Sequence, residues 1–310
     1  MPQNMPQEII DLILKELCAK LKRNEVPGTL RSCSSVSRAF RELSQKHLFE
    51  EISFYFSSNL AYKKHEGHHI IQLHTIFLEN SSLCTFVRHL ELDLWPVLDE
   101  PEGVYFAQVL RMMTWLRSVH IYDRACGGNF WGKLSIFITT LSHVLGMASL
   151  NEVKLFFCPF GLVELCLRVP LLVLHKIEYE GTFPSINLID EGLYGVELQI
   201  QSIESTTKDL VSFANHLVRR RVHLPRLRSL KVNATSDREG DAVNKCQRLI
   251  NHLSGQLEHL HLLFDLYKDT GELSSFTVLQ VLGLRSNYSR RLAHSSRLIR
   301  SATSASLASY

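Results

Sequence analysis

The 310-residue chain has no apolar run long enough to cross a membrane. Its longest apolar region, Phe160 to Leu174, is broken by Glu164, Arg168 and Pro170, and the first apolar stretch is broken by Asp11, Lys15 and Glu16. Neither a membrane span nor a secretory leader is expected. Cysteine pairing is equally missing. The seven cysteines (18, 33, 84, 126, 158, 166, 246) are odd in number and never closer than eight residues, so no CxxC or disulfide framework exists. That implies reduced thiols and a cytoplasmic or nuclear location. An excess of one charge is missing too. The formal charge is +3, but five arginines and no acid in 285–310 carry +5, which leaves the rest of the chain at −2. A slightly acidic body lacks the electrostatic footprint of a nucleic-acid binder.

Catalytic signatures are absent as well: there is no GxGxxG, GKS/T, GxSxG or HExxH, and no cysteine sits in a nucleophile signature. A non-catalytic chain without cofactors is the expectation. What is present is 45% hydrophobic and 21% charged residues. A chain of this length buries about three quarters of its unfolded surface, so it needs neither disulfide nor metal to fold. Weaker constellations resolve blandly. His65, His68, His69 and His74 read as an exposed loop, because no fitting ligand besides Glu66 accompanies them and Gly67 interrupts. Asp237, Glu239 and Asp241 lack the glycine and closing glutamate of a calcium loop. Gly127-Gly128 reads as a turn, and Arg219 to Arg221 as a basic helix end.

The first fifty residues are helical in pattern. Pro6 suits a helix start, and Glu8 complements the positive end. Ile10, Leu14, Leu17 and Leu21 form one stripe, while Ile9, Leu12 and Ile13 spread apolar surface well beyond it. A small helical unit cannot cover both faces of so short a helix, so part of that surface is expected to meet another protein. Pro27-Gly28 closes a polar loop, and Thr29 is the expected cap of a second helix carrying Leu30, Cys33, Val36 and Phe40. A short third element over Gln45 to Phe49 supplies Leu48 and Phe49.

Residues 5–50 resemble an F-box. The family pattern is a Leu-Pro opening, an Ile/Leu-rich helix, a Leu-x-x-Cys-x-x-Val-Ser/Cys-Arg-x-Trp helix and a closing Leu-Trp or Leu-Phe pair. This chain has Pro6, Ile9, Ile10, Ile13 and Leu17, then Leu30, Cys33, Val36, Ser37 and Arg38, then Leu48-Phe49. Met5 stands for the usual leucine, Phe40 for the usual tryptophan, and the loop at 18–29 is longer than typical. The resemblance implies docking to the Skp adaptor of a cullin–RING ubiquitin ligase through Pro6, Ile9, Ile10, Ile13, Leu17, Leu30, Cys33, Val36 and Phe40. The alternative for this segment is a helical hairpin that caps the domain behind it.

Beyond a connecting helical or loop segment at 51–86, a second pattern recurs: apolar-x-x-apolar-x-apolar. It appears as Val87-Leu90-Leu92, Leu116-Val119-Ile121, Leu150-Val153-Leu155 and Leu174-Ile177-Tyr179. It continues as Leu193-Val196-Leu198, Leu227-Leu230-Val232, Leu257-Leu260-Leu262 and Leu279-Leu282-Leu284. Starts lie 19 to 34 residues apart with a mean near 27, which resembles irregular leucine-rich repeats. The family's Asn or Cys after the last leucine occurs only at Cys158 and Asn287. Helical periodicity in between (Phe106, Leu110, Met113; Leu134, Ile138, Leu141, Leu145; Leu210, Phe213, Ala214, Leu217; Val243, Cys246, Ile250, Leu253) adds helices outside the strands. The expected fold is α/β. A three-helix F-box (1–50) precedes an irregular leucine-rich-repeat-like solenoid of parallel strands and helices (87–286), and a basic Ser-rich tail (287–310) is expected to be disordered. An α/β domain with another strand order is the alternative.

Alternation within each strand buries the leucines and displays the residues between them. The displayed columns are His89, Glu91, Asp93; Ser118, His120, Tyr122; Glu152, Lys154, Phe156; Lys176, Glu178, Glu180; Glu197, Gln199; Ser229, Lys231, Asn233; His259, His261. Within them His89, Glu91, His120, Tyr122, Lys154, Phe156, Glu178, Lys231 and His261 are the candidate contacts to a target protein. Both signs of charge with aromatics suit a protein rather than phosphate. Taken singly, each is better accounted for as a solvated strand residue. The expected function is therefore substrate recognition within a Skp–cullin–F-box ligase, with a non-ligase interaction scaffold as the alternative. A hydrolase would need a nucleophile beside a base, and no motif supplies one.

Overall fold

The computed structural model describes residues 5–21, 25–55, 60–94, 102–123, 135–177, 198–220, 224–235, 257–267 and 273–282, and resolves two compact units, Met1–Leu150 and Asn151–Tyr310. In the first unit, helices α1 (Gln7–Lys20), α2 (Val26–Ser34) and α3 (Arg38–Glu50) lead directly into strand β1 (Glu51–Tyr55). Helix α4 (Leu60–Glu79), a 3-10 turn (Ser81–Phe86), β2 (His89–Leu94), α5 (Glu102–Met112), β3 (Ser118–Asp123) and α6 (Ser135–Leu145) follow. Strands β1, β2 and β3 pair in parallel in chain order. Helix α5 packs against both α4 and α6.

The second unit holds β4 (Glu152–Phe156), α7 (Phe160–Leu165), β5 (Leu171–His175), β6 (Ser202–Thr206), α8 (Thr207–Arg220), β7 (Ser229–Thr235), β8 (His259–Tyr267) and β9 (Leu273–Leu282). Strands β4 to β8 are parallel neighbours in chain order, and β9 returns antiparallel to β8. Strand entry repeats one device. The carbonyl just before a strand accepts the N–H that opens the next one, as in Arg88 to Ser118, Pro170 to Ser202, Gln201 to Ser229 and Arg228 to His259. A recurring backbone bond of this kind locks register without side chains, so the spacing between strands can vary.

Five of the eight expected repeats are parallel strands with the expected burial. Val87, Leu90 and Leu92 are buried, as are Leu116, Val119 and Ile121; Leu150, Val153 and Leu155; Leu227, Leu230 and Val232; and Leu257 and Leu260. Cys158 is buried, and its thiol donates to the Phe156 carbonyl at 3.4 Å. The helical faces agree: Phe106, Leu110, Met113, Ile138, Leu141, Leu145, Leu210 and Phe213 are all buried. Leu134 and the face at Val243, Cys246, Ile250 and Leu253 lie outside the described residues, as do the side chains of Ala214 and Leu217.

Several expectations need correction. The sheet begins at β1, inside the segment read as a connector, on the unrecognised pattern Phe49-Ile52-Phe54. The strand expected from Leu174 is instead Leu171–His175, with Leu172 and Leu174 buried on Val169-x-x-Leu172-x-Leu174. It stops there because Lys176 has φ 53°, which an extended strand cannot continue. Of Leu193-Val196-Leu198 only Leu198 is described, outside any strand. The strand lies at Ser202–Thr206, where Ile203 and the polar Ser205 point inward. Leu279 and Leu282 belong to antiparallel β9, not to a parallel repeat. Glu178, Glu180, Glu197, Leu284, Asn287, the Asp237 and Gly127 segments and the tail 287–310 are outside the described residues. The His65 to His74 segment is helical within α4 rather than a loop. No helix among the described residues is long and apolar enough to cross a membrane.

Candidate functional site

Two surfaces concern function, and the first is built on α1. Pro6 caps it, and its carbonyl accepts the N–H groups of Ile9 and Ile10 at 3.1 and 3.3 Å. The expected single helix from Thr29 to Phe40 is two helices. Thr29 lies inside α2, and Ser34 and Ser35 turn their hydroxyls back onto the carbonyls of Arg31 and Ser32 (2.6 and 2.7 Å). Serines that bond their own backbone compete with helix continuation. Ser37 then caps α3, accepting from the Phe40 N–H at 3.3 Å, so the element expected at Gln45 is the continuation of a longer helix.

Ile10, Leu14 and Leu30 form the core of this helical module, with Leu17, Cys18, Cys33, Phe40 and Leu48 half-buried around them. The nine residues expected at the adaptor interface therefore divide. Ile10 and Leu30 are 3% and 2% exposed and hold the module together, so they are not available to a partner. Pro6 is exposed, while Leu17, Cys33 and Phe40 show only an edge. Ile9 (45%), Ile13 (37%) and Val36 (68%) face outward, and so does Leu12 (57%), which the sequence placed among the surplus apolar residues. Ile9, Leu12 and Ile13 are one side of α1, opposite Leu14. An apolar row of this kind is expensive to leave in water.

A polar tie fixes that row in space. Asp11 on α1 pairs with Lys15 (2.7 Å) on its own helix and reaches His47 (3.1 Å) and Lys46 (3.8 Å) on α3; His47 also meets Glu50 at 3.4 Å. The Lys15 hydrogen bond, with help from Lys46 and His47, holds the Asp11 carboxyl below its ordinary 3.8 despite an opposing effect of burial. A carboxylate lowered on folding adds stability above its ordinary value and loses it as pH falls through the lowered one. The contribution of the Asp11 carboxylate should thus be lost in acid. Asp11→Asn should flatten the fall of thermal midpoint below about pH 4 and leave it unchanged in shape above about pH 5. A wild-type acid profile in the variant would show that the Asp11 carboxylate contributes no stability.

The second surface is the displayed face of the strands. In the first unit, Glu91 Oε2 accepts from Ser53 Oγ (3.1 Å) and Tyr55 OH (2.9 Å) on β1, and His89 Nδ1 shares a 2.8 Å hydrogen bond with Ser118 Oγ. His120 and Tyr122 continue the rows in register with Glu91 and Asp93. Asp93 and Ser118, expected to be displayed, are 6% and 4% exposed. In the second unit, Lys154, Val173, Glu204, Lys231 and His261 form one row. Lys231 Nζ pairs with Glu204 at 2.7 Å, and Lys154 with Glu152 at 3.0 Å. Phe156 and His175 meet at 5.7 Å. Ser53, Tyr55, Val173, His175 and Glu204 escaped the sequence reading because their strands were misplaced or unrecognised.

Lys176, expected in a column, instead sits past β5 with its ammonium 4.9 Å over the Phe157 ring. Its backbone N–H and that of Ile177 donate to the carboxylate of Asp209 at 2.7 and 2.9 Å. Asp209 is 2% exposed and also accepts from Thr206 Oγ1 at 2.6 Å. The sequence carried one sign of it, the Thr-x-x-Asp spacing of a helix start.

No group of three or more metal-ligating side chains occurs among the described residues. Burial raises the thiols of Cys18, Cys84 and Cys166, so these three stay protonated at neutral pH. Searches of protein-family models and of curated proteins find no match to this chain.

Proposed function

We propose that the chain is a non-catalytic substrate-recognition subunit of a Skp–cullin–F-box ubiquitin ligase, acting in the cytoplasm or nucleus. On this reading α1, with Val36 beside α3, docks the Skp adaptor, and the strand faces hold a target protein. Ubiquitin transfer would be carried out by the other subunits. The receptor contributes proximity, raising the effective concentration of target lysines near the charged conjugating enzyme.

The observation that carries the reading is the outward row Ile9, Leu12 and Ile13 together with Val36. Burying such half-exposed aliphatics is worth about 1 kcal/mol each, which favours a contact that covers them. The hydrogen-bonded rows of the strand faces supply a partner surface that is already ordered, which lowers the entropic cost of binding. No cofactor enters.

Co-purification from cells tests it. The wild-type chain should recover the Skp adaptor and, through it, cullin, and Ile9→Asp plus Val36→Asp should cut that recovery about tenfold or more, because a charge at an apolar contact is left desolvated. Both positions are exposed, so the fold should survive, and circular dichroism checks it. Equal recovery by the two proteins would refute adaptor docking at this surface. Adaptor without cullin would favour an interaction scaffold outside any ligase.

A further inference from the structure

Helix α3 presents a second face that the proposal above leaves unused. Ser37, Arg38, Arg41, Glu42 and Gln45 recur at helical spacing along it, and the chain from Asn80 to Phe86 lies alongside. Between them is an open groove of about 750 Å³, also lined by Asn80, Ser82 and Phe86. Among the described residues, each of these two arginines is bonded through Nε. Arg38 Nε donates to Glu42 Oε1 at 3.1 Å, and Arg41 Nε to the Ser34 carbonyl at 3.4 Å. The Arg38 side chain is 92% exposed, and the terminal nitrogens of both guanidiniums remain donors toward the groove's opening. Glu42 is the one acid among the described residues lining the groove, and the remaining polar lining consists of Ser37, Gln45, Asn80 and Ser82. The positive end of α3, a helix of 13 residues, adds to the same sign. Phe86 gives the groove an apolar wall.

We infer that this groove binds an acidic peptide segment of a protein partner, with carboxylates on Arg38 and Arg41 and an apolar side chain against Phe86. Planar guanidiniums with free terminal nitrogens favour carboxylates that can bond in pairs. A nucleic acid is the poorer match: two arginines beside a glutamate, on a body of charge −2, do not make the extended positive field a phosphate backbone requires. The inference is independent of adaptor docking, since it uses none of Ile9, Leu12, Ile13 or Val36.

The test is fluorescence anisotropy on the full chain with a labelled oligoglutamate peptide carrying a central phenylalanine, against its oligoglutamine counterpart. The glutamate peptide should bind roughly tenfold or more tightly than the glutamine one. Arg38→Glu plus Arg41→Glu should abolish the difference, and Arg38→Gln plus Arg41→Gln should reduce it in part. An acid at position 38 suits a first helical turn, so the helix should hold. Arg111→Glu plus Arg168→Glu, both exposed and neither lining the groove, makes the same change in net charge and should leave binding within about twofold. Equal losses in the two glutamate variants would overturn the inference in favour of general charge attraction. Equal binding of the two peptides would overturn it outright, and so would complete displacement by millimolar inorganic phosphate, which would mark a simple anion site.

Discussion

Asp209→Ala should destabilise the C-terminal unit by about 3 kcal/mol, because a buried carboxylate that accepts backbone donors leaves each of them unsatisfied when removed. The two donors are the N–H groups of Lys176 and Ile177, at 2.7 and 2.9 Å. Their turn carries strain of its own, since Lys176 at φ 53° and Phe157 at φ 60° both hold a left-handed conformation that non-glycine residues adopt at a cost of roughly 1 kcal/mol or more. The Phe157 N–H to the His175 carbonyl (3.0 Å) and Lys176 over the Phe157 ring bind the two turns to each other. Asp209 is therefore what keeps the end of β5 in place. Asp209→Asn retains one acceptor oxygen and should lose about half as much. Urea midpoints at constant slope give the free energies, and amide exchange at Lys176 and Ile177 gives the location. A variant whose exchange at those two amides stays protected would show that another group holds the turn.

Phe106→Ala should cost the N-terminal unit about 3–5 kcal/mol, through lost transfer energy plus the cavity left behind. Phe106 has no exposed surface, and its ring meets Phe54 edge-on at 4.9 Å, which ties α5 to β1. Phe106→Leu keeps most of the volume and should cost less than about half of that. Urea midpoints followed by circular dichroism give the free energy, and amide exchange along α5 and β1 gives the location. A loss below about 1 kcal/mol for the alanine variant would mean the site collapses around the gap, contrary to the close packing of interiors.

These two residues mark how far local pattern reaches. Phe106 was legible, because Phe106, Leu110 and Met113 fall on one helical face and are all buried. So was the surplus of α1, whose Ile9 and Ile13 stand outside while Leu14 is enclosed. β6 was not legible, since its second inward residue is Ser205 and a polar side chain breaks the apolar count. β5 was read too late in the chain because Leu174 and Ile177 are both apolar, and only the backbone at Lys176 decides where the strand stops.

Taken alone, the order of residues determined an α/β chain with a helical start, leucines facing inward at alternate strand positions, and one helix with more apolar surface than its own module can enclose. Those properties follow from periods of two and 3.6, which neighbours along the chain impose on one another. Tertiary structure alone decided that Ile10 and Leu30 are core rather than contact, that β9 turns antiparallel, and that Asp209 reaches back 33 residues to hold Lys176. Each of these depends on groups far apart in the chain meeting in space, and such meetings leave no periodic trace in the residues themselves.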